Sequence, residues 1–159
     1  MRQNLRVAAY AVCVRDGQVL LARLSGSGPG EWTLPGGGMD HGEDPHATVV
    51  RELAEETGYR VEVSRLLGVD SQRVVGRRRF GRSADHHALR IVYEGRVAGG
   101  ELRHEVGGST DLAAWHALEA VPALTRVPLV DTGLALWRDR PADGRAASLS
   151  RGHGPYPGR

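Results

Sequence analysis

The sequence predicts an α/β domain, with helices packed on a mixed β-sheet, from three observations. Short runs rich in Val, Ala and Leu recur between Gly, Pro and Asp turns. A cappable helical stretch covers residues 45–57, and a second one covers residues 130–137. Arg6–Val14 reads as the first strand, and "RDGQ" supplies an Asp-Gly turn before "VLLARL", a strong hairpin signal. "SGSGPG" then forms a flexible loop, and Trp32–Leu34 is a short extended stretch stopped by Pro35. A helix from Pro45 to Thr57 follows, with Asp44 as N-cap, Pro45 at the first helical position and Gly58 as C-terminal cap. Extended segments are expected at Arg60–Leu67 and His87–Val97. "VAGGEL" turns the chain into another strand, and "DLAAWHALEAV" passes from strand into a short helix. Val130–Trp137 is the last helix. The Gly, Pro, Ser and Arg content of residues 139–159 reads as a flexible tail behind a single domain spanning residues 1–138.

Bulk properties narrow the function. The chain has 159 residues, enough for one buried core, and its 40% hydrophobic and 25% charged composition is that of a soluble globular protein. The formal net charge is +2, but residues 138–159 carry +3 of it, so the body is close to neutral at −1. A nucleic-acid partner, which needs a basic stripe, is therefore not expected. No apolar run predicts a membrane span, and the first strand lacks the long apolar core of a signal peptide. The lone Cys13 excludes an internal disulfide and fits a reducing, cytoplasmic compartment.

Between Gly36 and Tyr59 stand six carboxylates: Asp40, Glu43, Asp44, Glu52, Glu55 and Glu56. On a helical wheel centred on Val50, Leu53, Ala54 and Thr57 share its side, while Glu52, Glu55 and Glu56 fall opposite. An ordinary solvated helix face is one explanation. Against it, Glu52 stands three and four residues from Glu55 and Glu56, where like charges repel. Arg51 reaches Glu55 at i+4 but cannot neutralise all three. Glu43 also lies beside Gly36-Gly37-Gly38, whose backbone can approach a ligand closely. Hard oxygen ligands with too little protein countercharge point to Mg²⁺, with Mn²⁺ as the alternative, held together with substrate phosphates.

Gly37, Glu43, Arg51-Glu52-Leu53, Glu55-Glu56 and Gly58 stand at spacings that resemble the signature of the Nudix hydrolases, a box running from Gly37 to Tyr59. At a usage of roughly 7% per residue, such a match arises by chance on the order of 10⁻⁸ per starting position, which makes a merely acidic surface remote. The final position, usually aliphatic, is Tyr59 here. The resemblance implies a Nudix-like α/β/α sandwich with a mixed sheet. It also implies Mg²⁺-dependent cleavage of a nucleoside diphosphate linked to another moiety, such as a nucleoside triphosphate or related nucleotide. Carried over, Glu52, Glu55 and Glu56 are metal ligands, with Glu52 able to act as base. Arg51 orients a glutamate, Glu43 supports the site, and the Gly36 carbonyl is an additional ligand. The competing implication is a Nudix-fold nucleotide sensor without turnover. The intact Arg51, Glu52, Glu55 and Glu56 weigh against it.

Substrate signals are weaker. The family's markers for ADP-ribose, dinucleoside polyphosphate, NADH and coenzyme A substrates are absent. The basic segment "RVVGRRRFGR" is either a solvated loop or a flap whose Arg77 and Arg79 pair substrate phosphates, with Phe80 adding a base contact. Arg90 alternates with Leu89, Ile91 and Tyr93, so it meets substrate or water if those three face the core. Trp32 either stacks on a base or is buried beside Leu34. His41 and His46 flank the site, and His86 and His87 read as surface or strand-end residues. Glu101, Glu105 and Glu119 are undistinguished candidates for a further ligand or base. A small-molecule diphosphate or nucleotide is the expected partner, and a homodimer is compatible with the sequence.

Overall fold

The computed structural model describes residues 2–26, 30–77 and 83–147. Within these residues, eight strands and two α-helices follow in the order β1 (Arg2–Val12), β2 (Val14–Arg15), β3 (Gln18–Leu24), β4 (Trp32–Thr33), β5 (Gly36–Gly38), α1 (Pro45–Thr57), β6 (Tyr59–Arg77), β7 (Ser83–Gly100), β8 (Thr110–Ala117), a 3-10 turn (Leu118–Ala123) and α2 (Pro128–Asp139). One sheet has the order β5-β1-β7-β6. In it β1 and β7 run parallel, and both other pairings are antiparallel. The second sheet has the order β2-β3-β4, with β8 on β3.

Alternation along β1 divides the interior. Ala9, Ala11 and Cys13 face α1 and pack with Leu20, Val49, Leu53, Tyr59 and Val61. Val12 faces the other way, with Val19, Leu21, Val92, Val130 and Leu136 under α2. Each helix thus covers one face, giving the expected α/β/α sandwich. No helix among the described residues is long and apolar enough to cross a membrane.

Helix α1 has the expected bounds and caps. The Asp44 carboxylate accepts from Ala47 N–H at 2.8 Å, and Gly58 takes φ +78°, a left-handed conformation that favours glycine.

Three readings need correction. First, β6 and β7 form a hairpin much longer than Arg60–Leu67 and His87–Val97. Arg73 through Arg77 continue β6, because pairing with residues 83–87 satisfies their backbone, while residues 78–82, including Arg79, lie outside the described residues. Second, "VAGGEL" does not lead directly into a strand. Gly100 ends β7, and residues 101–109 form a loop pinned to the end of α1 by Arg103 N–H donating to Thr57 O at 2.9 Å. Third, the chain just after α2 docks on the domain. Arg140 pairs with Glu94 at 2.6 Å, and Gly144 O accepts from Val69 N–H at 3.0 Å.

Burial pushes the Cys13 thiol up to about 12. In the native protein at pH 8 it should resist DTNB, and it should react stoichiometrically once guanidinium unfolds the chain. Leu53→Ala, a truncation at a fully buried position, should cost about 3 kcal/mol in urea unfolding. Prompt native labelling, or a cost under about 1 kcal/mol, would contradict the α1-side packing.

Candidate active site

The stripe Val49, Leu53 and Glu56 sits at i, i+4 and i+7, so all three point into the sheet. Centring the wheel on Val50 misplaces this stripe. Val50 and Ala54 are only half-buried, whereas Glu56 is 2% exposed, and the three glutamates do not share one solvent face. Glu52 is half-buried and Glu55 is exposed.

Strand β5 allows this burial. Gly36 takes φ +142° where a Cβ would stand 2.3 Å from Ala9 O, so its backbone lies against β1 as only glycine permits. Its N–H donates to Glu56 Oε2 at 2.9 Å. At Gly37 a Cβ would meet Glu52 Oε1 at 2.6 Å, so the Glu52 carboxylate lies in the space that this side chain lacks.

Arg51 organises the other side. Its Nε and Nη2 donate to the two Glu43 oxygens at 2.7 and 2.9 Å, a bidentate pair. Nη1 donates to Glu52 Oε1 at 3.1 Å and to Glu55 Oε2 at 3.4 Å, and Nη2 also reaches Gly38 O at 3.1 Å. Arg51, the Thr48 hydroxyl and the Asp40 N–H hold the Glu43 carboxyl down at about 2. Arg51 touches Glu52 and Glu55 together, more than the i+4 pair that spacing suggests.

Among the described residues Glu56 gains no such partner. Burial pushes its carboxyl up to about 8; the Gly36 N–H opposes the rise, and Glu52, Glu105 and Glu55 add to it. Burial also raises Glu52, against the pull of Arg51. Glu105 arrives from the loop before β8, where it accepts from Thr110 Oγ1 at 3.0 Å, and its charge acts on both Glu52 and Glu56. Sequence does not separate Glu105 from Glu101 or Glu119. The loop anchors, Arg103 to Thr57 and Ala113 N–H to His104 Nδ1 at 3.2 Å, do so.

The donors are all hard oxygens, and a buried carboxylate short of countercharge is the chemistry a divalent cation satisfies. Among the described residues, no three His, Cys, Asp or Glu side chains already converge on one metal point. Glu52 turns to Arg51 and Glu56 to Gly36 instead.

The other sequence candidates are placed differently. Arg90 does lie opposite Ile91, but that face is not solvent. Arg90 is 8% exposed, its Nε donates to Asp70 at 2.9 Å, and its Nη1 donates to Gln72 at 2.9 Å. Trp32 packs on the α2-side core with its ring edge to His116, centroids 4.3 Å apart. Arg77 is the last residue of β6. His87 bonds to Ser71 at 2.7 Å, and His46 meets the Tyr93 ring edge-on.

An α/β/α sandwich with an arginine-braced acidic helix against a glycine strand defines a class. The chain matches the NUDIX domain family over residues 4–136 and belongs to the Nudix hydrolase family. It is 39% identical over 74 residues to human diphosphoinositol polyphosphate phosphohydrolase NUDT4B, covering 45% of this chain and 40% of that protein. A MutT NUDIX hydrolase from Burkholderia pseudomallei is 32% identical, with a TM-score of 0.56 over 73% of this chain and 85% of the other. A NUDIX hydrolase from Nitrosomonas europaea shares the fold at 22% identity, with a TM-score of 0.67 over 96% and 98% of the two chains. The chain spans about 40% of the length of curated relatives it matches.

Glu56 predicts an unusual pH dependence. In metal-free protein its folded value, about 8, lies above the unfolded 4.5. Its stabilising contribution is therefore full below pH 4.5 and is lost as pH rises through 8. Unfolding with EDTA present should lose up to about 1.4 kcal/mol per pH unit between pH 5 and 8. Glu56→Gln should flatten that slope, and an unchanged slope would refute the assignment.

Proposed function

We propose that the protein is a Mg²⁺-dependent pyrophosphohydrolase acting on a nucleoside diphosphate linked to another moiety, with a nucleoside triphosphate or related nucleotide as substrate. One observation carries this reading: Glu56 is buried beside Glu52 within reach of the Glu105 charge, and the nearby cation, Arg51, is engaged elsewhere. Glu52, Glu55 and Glu56 would hold the metal, with Glu105 and the Gly36 carbonyl as further oxygen donors and Mn²⁺ as the alternative ion. When bound, the ion supplies charge against the phosphate oxygens and lowers the pKa of water.

The chain's own residues divide the remaining work. Arg51 holds the Glu52 carboxylate and Gly36 N–H holds that of Glu56, which keeps both beside β5. Glu52, half-buried and raised above an ordinary carboxylate, accepts the proton as a water oxygen bonds to phosphorus. The anhydride P–O bond breaks, and its electron pair leaves on the departing phosphate. The side-chain-free β5 lets the diphosphate approach the backbone closely.

A panel of nucleoside triphosphates, ADP-ribose, sugar nucleotides, dinucleoside polyphosphates and diphosphoinositol polyphosphates, run with Mg²⁺, tests this. Wild type should release phosphate or nucleotide from at least one of them. Glu56→Gln and Glu52→Gln should lower kcat at least about 100-fold, and Glu105→Gln about 10-fold. Full turnover by Glu56→Gln would end the proposal. Gly37→Ala tests the cradle separately. The displaced Glu52 carboxylate should lower kcat about 10-fold, while Tm moves only a few degrees because a flexible side chain gives way.

A further inference from the structure

Beyond Gly38 no strand among the described residues pairs with this edge of β1. Pairing of β1 with β5 covers Ala8, Ala9 and Tyr10, and the last bond on this edge is Met39 N–H to Val7 O at 3.0 Å. The chain then swings away. An open cleft of about 510 Å³ lies between residues 4–7 of β1 and residues 38–42.

Arg6 is the cation in this cleft. It is exposed and makes no ion pair among the described residues, in contrast to Arg51, Arg73 and Arg90, which pair with Glu43, Asp85 and Asp70. The Asp40 carboxylate on the opposite wall stands 3.6 Å from Arg51.

The cleft adjoins the acidic site. A Cβ at Gly37 would meet Glu52, and a Cβ at Gly38 would stand 3.1 Å from Arg6 Nε. Successive strand residues face opposite ways, so Glu52 and Arg6 approach β5 from its two faces at adjacent glycines. β5 is an edge strand without side chains, so only backbone separates the Glu52 side from the Arg6 side at Gly37 and Gly38.

We propose that Arg6 forms an anion subsite that binds a phosphate of the substrate beyond the scissile diphosphate, so that the enzyme favours substrates with at least three linked phosphates or an equivalent distal anion. A guanidinium with no carboxylate partner among the described residues offers its fork to phosphate oxygens. This inference rests on the proposed hydrolase reading and goes further, by naming what lies distal to the cleaved bond.

Inorganic tripolyphosphate and pyrophosphate separate the two. With Mg²⁺ present, calorimetry should find that Arg6→Gln weakens tripolyphosphate about 10-fold and changes pyrophosphate less than twofold, with Tm unaltered. Equal affinities in wild type and variant, equal losses for both probes, or no tripolyphosphate binding by wild type would each overturn the subsite. Those outcomes leave the hydrolase reading to the Glu56→Gln assay. Full turnover in that assay would remove the reading even if Arg6→Gln behaves as expected.

Discussion

A carboxylate buried without a cationic partner among the described residues is the constraint on which the rest of this structure turns. Glu56 occupies a core position of α1, 2% exposed, with one backbone N–H as its hydrogen-bond donor. A side chain there that cannot be neutralised by solvent or by arginine must either hold a proton or share a positive ion. Its neighbours are arranged around that requirement. Gly36 brings an amide to it, Gly37 leaves space for Glu52, and the loop before β8 adds Glu105 instead of a base.

Arg51 shows how the chain separates bracing from binding. Its strongest contacts go to Glu43, which lies outside the helix and whose charge is the most firmly held of the group. Glu52 and Glu55 receive one longer bond each. A guanidinium shared in this way locks the loop carrying Gly38 to α1 while leaving the helix carboxylates underneutralised. Arginine suits this role better than lysine, because a planar fork can serve Glu43 bidentately and still reach the other oxygens.

Much of the fold was legible because its signals are local. Asp44, Pro45 and Gly58 mark both ends of α1, and the Asp-Gly turn at Asp16-Gly17 marks the β2–β3 hairpin. The long β6–β7 hairpin was not legible. Its distal half, with Arg73 and Val74, reads as polar loop, and only pairing with residues 83–87 across the chain makes it strand. Within the site, the glutamate spacing named the helix and Arg51 at once. It did not reveal that Glu56 is the buried one, although Val49 and Leu53 on the same stripe carry that signal. Glu105 and the Arg90–Asp70 pair depend on contacts across more than a dozen residues, for which spacing holds no information.

The arrangement at β5 also explains why three successive glycines serve this site better than one. Gly36 lets the backbone lie against β1 and turn its amide to Glu56, Gly37 admits Glu52 from one face, and Gly38 admits Arg6 from the other. A side chain at any of the three would separate a charged group from the strand edge. The same bareness costs conformational entropy and buries little apolar surface, so β5 cannot hold itself in place. What fixes it is pairing with β1 on one side and, on the other, the bonds from Glu56 to Gly36 and from Arg51 to Gly38. The site residues therefore support the strand that positions them. Weakening Arg51 or Glu56 would loosen β5 as well as change the charge of the site.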